Sequence, residues 1–596
     1  MKSKRIAAVS LFILLFFLSA QSALAAGITV DASCSLADAI TASNTDAAAG
    51  GCVAGSGSDT ITITQAGTTN GVISPSSGLE IESNITIQGG GFTISGANLT
   101  DNLFEIASGN TLTLNNLTVR DSSVGNSGSG GAIYGSNATL IISGSSFASN
   151  SAAGDGGALY MYNGTVRVSG STFSGNSAAG DGGAIYMYNG TVRVSGSTFS
   201  GNSAAGDGGA IYVYDGIVAL SGSSSFSGNS ARGQNSDGNG GAVYVYDGTI
   251  TASGSTFSGN SAAGDGGALY TYEGAIRISN STIVSGSLYT YEGAITARHV
   301  TIGGSLTGFG ASLNLYNSIV GGSLTFATGK LTMVNSLIGG TLARNGNAVN
   351  PPSGSLVGSS PRLGTLTGSP AYYPLLVGSP AIDAAAAAYC LATDQSNVAR
   401  PQGNGCDMGA IESGFASAQA PSEGARPTAL PTPTPTATPT PLPQPVSLNG
   451  VRCGLADAIA AANNDSAQGS CPAGNGADTI TFHGDVSLRE PLWTISSDIT
   501  FAGGGHSLSR HSSTSEQNAE FRLLTIQSGA TVVIKNLTLS KGKASYRGGA
   551  INNAGSLTIS GSTLRNNETS WYGGAIHNRG SLSIRGSVLR DNESSW

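Results

Sequence analysis

The chain has 596 residues, of which only 10% are charged and 89 are glycine, and its net charge is −8. Soluble domains typically carry roughly 25% charged residues. The acidic balance, with no lysine between Lys4 and Lys330, argues against nucleic-acid binding and against docking to an acidic surface.

The first 25 residues read as an export signal. Lys2, Lys4 and Arg5 precede an apolar run from Ile6 to Leu18, and Ala23-Leu24-Ala25 supplies a cleavage site. That run is too short to span a bilayer comfortably, and no later stretch approaches spanning length. The mature chain is therefore expected to be secreted or held at the cell surface, with no transmembrane segment. Export permits disulfides, and the six cysteines fall into local pairs: Cys34 with Cys52, Cys390 with Cys406, Cys453 with Cys471. Six cysteines allow 15 connectivities. A shared spacing of 18 in the first and third pairs favours local pairing. A metal site is the alternative, although no histidine lies close to these cysteines.

Residues 26–80 form the first of two related segments. Leu36, Ala39 and Ile40 give Ser35 to Asn44 the pattern of a short amphipathic helix, placed to cover the first coil of a stack. The run Cys34-Ser-Leu-Ala-Asp-Ala-Ile, with Asn44, Asp46, Cys52 and Asp59-Thr-Ile-Thr, returns in residues 448–510. There it reads Cys453-Gly-Leu-Ala-Asp-Ala-Ile, with Asn463, Asp465, Cys471 and Asp478-Thr-Ile-Thr.

Residues 81–355 are repetitive. Gly156 to Asp181 recurs at Gly182 to Asp207 with one change, Leu159 against Ile185. Gly-Gly-Ala-aliphatic tetrads begin at Gly130, Gly156, Gly182, Gly208, Gly240 and Gly266, mostly 26 residues apart. Ile185, Met187, Val192 and Val194 alternate with Tyr186, Tyr188 and Arg193, the period-2 pattern of strands with one buried face. Two or three short strands per repeat, joined by Gly/Ser/Asn/Asp turns, predict an all-β fold: a right-handed parallel β-helix. Downstream, Asn280, His299, Asn317 and Asn335 open similar strands at steps of 18 or 19, as tighter coils of the same helix. Advancing about 4.8 Å per coil, the stack should form a rod. Residues 356–414 read as a C-terminal cap or anchor-like module and 415–447 as a Pro/Thr-rich linker, with nine of the 19 prolines between Phe415 and Pro445. Residues 511–596 read as a second β-helix that stops part-way through a coil at Trp596.

Stacking converts recurring residues into columns. Asn150, Asn176, Asn202, Asn229 and Asn260 should form an amide ladder, as stacked sheets do. Asp155, Asp181, Asp207 and Asp265 precede the glycines, either capping turns or bound by calcium, which takes oxygen ligands. The pairs Tyr160/Tyr162, Tyr186/Tyr188, Tyr212/Tyr214, Tyr244/Tyr246 and Tyr270/Tyr272 alternate with buried aliphatics, so they should point outward as two aromatic ladders. Such ladders stabilise the rod by stacking and also offer a contact face for glycans or proteins.

Each of the first five tetrads is followed by Phe-x-x-Asn: Phe147/Asn150, Phe173/Asn176, Phe199/Asn202, Phe226/Asn229 and Phe257/Asn260. Paired with the GGA[ILV] tetrads, this resembles the repeat of the polymorphic outer-membrane proteins, which are β-helical surface adhesins. In residues 548–592 Leu564/Asn567 and Leu589/Asn592 replace the Phe form. The cap segments are similar to the bacterial CSLREA module, with Ala37-Asp38 and Ala456-Asp457 in place of Arg-Glu. Ser379 to Asp383, Thr393 to Gln395, Arg400-Pro401 and Cys406 to Ala410 look like a C-terminal module of bacterial surface β-helix proteins. The outer-membrane family also carries a C-terminal barrel, and no stretch here alternates over the strands a barrel needs.

Catalysis is not expected. A β-helical lyase or hydrolase needs clustered carboxylates near Arg or Lys on the outer face, and that face presents tyrosine. The five histidines, His299, His483, His506, His511 and His577, are scattered. The reading is therefore an exported, non-catalytic bacterial surface protein for adhesion or display, with no cofactor and with glycans or surface proteins as partners. The alternatives are a β-helical polysaccharide-active enzyme, pectate lyase-like or glycoside hydrolase-like, and an inert fragment.

Overall fold

A computed structural model describes residues 26–414 and 446–594, apart from short segments at 234–237, 309–310, 327–329, 345–346, 350, 352–353, 465–467, 469–470, 489–490, 493, 512–520, 528 and 545–546. The export signal, the Phe415–Pro445 tract, Asp465 and Trp596 lie outside the described residues.

Residues 27–357 wind into a right-handed parallel β-helix. Register is set by like residues meeting like: Ile185, Tyr186 and Met187 pair with Ile211, Tyr212 and Val213, and Thr198, Phe199 and Ser200 with Ser225, Phe226 and Ser227. Each 26-residue coil contributes to three sheets. The longest holds strands such as Ile185–Ser195; the second holds the phenylalanine strands such as Thr198–Ser200; the third is a short Ser-Ala bridge such as Ser203–Ala204. The two short strands seen in the coil at Leu159–Met161 and Gly164–Ser169 fuse in the next coil into one strand of 11 residues. Glycine occupies the middle of this stretch in both coils, whether or not the strands fuse. Gly190 has φ 141°, and a Cβ there would run into the Gly164 carbonyl oxygen, so neighbouring coils approach more closely than any side chain allows.

Inside, the second sheet carries one unbroken apolar column. It runs Ile73, Ile94, Val119, Phe147, Phe173, Phe199, Phe226, Phe257, Ile283, Ile302, Val320, Ile338, Val357. The five phenylalanines are wholly buried and stack with centroids 4.8–5.3 Å apart. The downstream strands at Thr282–Ile283, Thr301–Ile302, Ile319–Val320 and Leu337–Ile338 continue this sheet. The shorter steps therefore trim turns and leave the core intact.

The entrance to the stack is closed by helix α1 (Leu36–Thr45), whose Leu36, Ala39 and Ile40 are buried. Ser35 caps it by accepting from the Asp38 N–H at 3.1 Å. Asn44 ties it to the coil below, donating to the Glu80 carbonyl at 2.7 Å and accepting from the Glu82 N–H at 3.0 Å. Helix α2 (Leu455–Asn464) repeats the device: Asn463 donates to the Thr494 carbonyl at 2.7 Å and accepts from the Ser496 N–H at 2.9 Å. The cysteines join locally as Cys34–Cys52, Cys390–Cys406 and Cys453–Cys471. Residues 446–594 form a second parallel β-helix with its own core.

Residues 358–414 lie along the outer face of the phenylalanine sheet. Ile319 and Leu337, which point away from the coil interior, are buried under Leu375, Ala381, Ile382 and Met408. The strand-opening residues hold this segment in place: Asn280 donates to the Thr393 carbonyl, Asn317 to Ala386 and Asn335 to Ala384. Within it Arg400 pairs with Glu412 at 2.8 Å, both side chains fully buried, and donates to the carbonyls of Asp407 and Gly409. Removing one partner of such a pair would leave an uncompensated buried charge.

Candidate functional site: the tyrosine and carboxylate columns

The alternation that buries Ile185 and Met187 turns Tyr186 and Tyr188 away from the coil interior, and in-register pairing extends each into a column. The inner column runs Tyr134, Tyr160, Tyr186, Tyr212, Tyr244, Tyr270, Tyr289, with centroids 4.9–5.4 Å apart and near-parallel planes. The outer column runs Tyr162, Tyr188, Tyr214, Tyr246, Tyr272, Tyr291 at 4.9–5.0 Å. All ten tyrosines singled out in the sequence are in these columns.

The two columns differ in exposure. Tyr186, Tyr212, Tyr244 and Tyr270 are buried, packed against the outer tyrosines, so the exposed stripe is narrower than strand alternation alone implies. Burial pushes the phenols of Tyr160 and Tyr289 up to about 12 and those of Tyr186, Tyr212, Tyr244 and Tyr270 higher still, with neighbouring carboxylates and phenols adding to the effect. The inner column is a neutral, rigid backing. The outer column opens to solvent most at its ends, Tyr162 at 43% and Tyr291 at 39% exposure.

The aspartates before the glycines act on backbone. Asp155 accepts from the Asp181 N–H at 2.9 Å, Asp181 from Asp207 at 2.7 Å, and Asp207 from Asn239 at 2.6 Å; Asn239 accepts from Asp265 at 2.8 Å. Asn239 thus fills the place that the longer 32-residue step obscures in the sequence. Desolvation raises Asp155, and pushes Asp181 up to about 6 despite the hydrogen bond from Asp207. Among the described residues no cluster of three or more His, Cys, Asp or Glu has metal-holding geometry.

The asparagine ladder is internal. Asn176, Asn202 and Asn229 are wholly buried, and each donates to the next side chain at 2.9 Å and to a phenylalanine carbonyl at 3.0 Å. Asn150 and Asn260 continue it at the two ends. Both of its faces point into the fold, which leaves no amide for a ligand.

One column escaped the sequence reading. Asn189, Asp215, Asp247 and Glu273 are in register, each directly after an outer tyrosine. The recurring Tyr-acid-Gly triplet was the available signal, and it was hidden because the two near-identical repeats carry Asn163 and Asn189 there instead. The second β-helix meets this column. Arg547 lies 3.2 Å from Asp215 and 3.9 Å from Asp247, and Arg579 also pairs with Asp215. Thr494 approaches Thr249 at 3.4 Å, and Arg277 donates to the Pro491 carbonyl at 2.6 Å.

With this geometry the chain is of the right-handed parallel β-helix class, and a family model described as right-handed β-helix region matches residues 104–283. No curated protein matches the chain. Among solved structures it is similar to a PL6 family alginate lyase, AlyGC, at 11% identity and TM-score 0.31, covering 90% of this chain and 78% of that one. A mutant form of the same lyase matches at 10% identity and TM-score 0.28, with the same coverage.

These matches correct one expectation. The sequence reading held that the chain is not an enzyme; the solved structures it matches are β-helix enzymes, and a non-catalytic character is not retained. At this identity the likeness concerns the fold, and transfers neither substrate nor catalytic residues. No helix among the described residues is long and apolar enough to cross a membrane.

Proposed function

We propose that this chain is an exported surface protein, of the adhesin-like kind its GGA[ILV]/FxxN repeats suggest, which uses the outer tyrosine column as a binding face for uncharged glycans. The observation that carries this reading is the column itself: in-register phenol rings at 4.9–5.0 Å, backed by a second buried column. Neighbouring rings hold each phenol on both faces, so the column offers ring edges and hydroxyls that lose little freedom when a sugar packs across them, and contact area converts to affinity at small entropic cost. Asp215 and Asp247 beside the column are paired with Arg547 and Arg579, so the face carries balanced charge, which suits neutral polymers better than polyuronates. Glycan-array binding by the wild type and by Tyr162→Ser/Tyr188→Ser/Tyr214→Ser tests it. Selective loss of neutral-glycan binding in the variant supports the reading; equal binding, or binding confined to acidic glycans, refutes it.

A second reading, a polysaccharide-cleaving enzyme, draws on a different observation: Asp215 and Asp247 lie beside Arg547 and Arg579 on an outer face. Carboxylate and guanidinium together are the groups that acid–base cleavage of a glycan requires. Product release from neutral and uronate polymers, abolished by Asp247→Asn, would establish it. Absence of product from both polymer classes would dismiss it.

A further inference from the structure

We infer that the second β-helix is a reversible ionic cover for the tyrosine–carboxylate face of the first, latched by Arg547 and Arg579 on Asp215 and Asp247. The latch goes beyond the glycan reading and does not depend on it.

The contact between the two helices joins ion pairs and polar contacts to a few apolar side chains, Ile217 and Ile526 among them. Arg547 reaches both carboxylates, and Arg579 reaches Asp215 while lying close enough to Tyr188 and Tyr214 to feel their phenols. A Thr249–Thr494 contact and the Arg277 bond to Pro491 lie nearby, and Asp457 of the second helix is drawn electrostatically toward Arg298 of the first. The two apolar cores stay separate, Ile28 to Leu342 in one and Val446 to Ala575 in the other, and no apolar cluster among the described residues bridges them. The cavity left between them, bordered by Asn189, Asp215, Asp247, Thr494, Gln527 and Arg579, has a volume of about 20 Å³. That is room for about one water molecule.

An interface of this chemistry is specific without being permanent. Registered carboxylates about 5 Å apart repel one another, and two guanidiniums relieve that repulsion, so the column selects a basic partner. With no shared apolar core, little holds the helices together once the charges are screened or reversed. Polar contacts between domains of one chain resemble transient interfaces, for which relative motion is the default. The side chains of Asp215, Arg547 and Arg579 keep 10%, 25% and 26% of their surface accessible, so salt can reach them. Raising ionic strength to 1 M shortens the screening length in solvent to about 3 Å, but the carboxylates are largely buried and are screened less, so charge reversal is the stronger perturbation.

The test uses the full chain. Tyrosine nitration by tetranitromethane, read by peptide mass spectrometry, reports whether Tyr188 and Tyr214 are covered, with Tyr162 as the open reference; small-angle scattering reports separation of the helices. At low salt the wild type should label Tyr162 well above Tyr188 and Tyr214. In 1 M salt, or in Arg547→Glu/Arg579→Glu, labelling of Tyr188 and Tyr214 should rise several-fold and the radius of gyration should increase. Asp215→Lys/Asp247→Lys should open the contact from the other side, and combining the four substitutions should restore protection. Circular dichroism confirms that each variant keeps its sheet content. Unchanged labelling and scattering in both charge-reversal variants, or no recovery in the combined one, overturns the latch. Glycan binding enters none of these readouts, so the latch and the binding face can fail separately.

Discussion

Asn202→Ala cuts the fold where its internal polar bonds are densest. Asn202 is wholly buried; its amide donates to the Phe173 carbonyl at 3.0 Å and to the Asn229 side chain at 2.9 Å. Its oxygen accepts from the Asn176 N–H at 3.1 Å and the Asn176 side chain at 2.9 Å. Truncation strands the Asn176 N–H and removes this donor from the Phe173 carbonyl. Each buried group left unpaired costs about 1–3 kcal/mol, so the loss should be about 2–5 kcal/mol. A solenoid transmits this mainly to adjacent coils, so the assay is hydrogen exchange together with the denaturant midpoint. The Asn176 amide should exchange faster and the midpoint should fall, while half-buried Ser200→Ala leaves both unchanged. Asn202→Asp should be worse at pH 7 than at pH 4, because burial penalises the charged carboxylate. A midpoint for Asn202→Ala equal to that of Ser200→Ala would refute the argument.

The remaining predictions are independent of that ladder. Asp181 is raised from 3.8 to about 6 by burial, so its stabilising contribution is full below 3.8 and is lost as pH rises through about 6; Asp181→Asn should flatten that part of the thermal-midpoint profile, and an unchanged profile would count against it. Gly190→Ala should unfold its coil locally, since the added methyl meets the Gly164 backbone, whereas Gly201→Ala, also at positive φ but with open space, should cost only about 1–2 kcal/mol of left-handed backbone strain; exchange rates distinguish them. Cys34→Ser/Cys52→Ser opens a link across 18 residues and should lower the calorimetric stability of the α1 cap by about 3 kcal/mol, with retention of the full midpoint as the contrary result.

How far the sequence could be read depended on what each residue touches. Phe173, Phe199, Asn176 and Asn202 meet copies of themselves, so periodicity alone placed them inside and in columns. The same logic put Leu36, Ala39 and Ile40 on the buried side of a covering helix. Strand alternation separates inside from outside, but it is silent on what lies over the outside. It therefore treated Tyr186 and Tyr188 alike, though side-by-side packing buries the first and leaves the second at the rim. For the same reason Ile319 and Leu337 gave no hint that residues 358–414 cover them. The meeting of Arg579 with Asp215 joins positions far apart in the chain, and no local pattern encodes it.

The columns exist only if each coil sits directly on the previous one. Ser174 and Ser200 are register partners one coil apart, and Ser227 lies one coil further. A disulfide needs Cα atoms about 4.4–6.8 Å apart, which one strand spacing of about 4.8 Å satisfies and two do not. Oxidative cross-linking of Ser174→Cys/Ser200→Cys should run to completion, while Ser174→Cys/Ser227→Cys should stay reduced. Cross-linking of the second pair, or failure of the first, would contradict the stacking on which the columns depend.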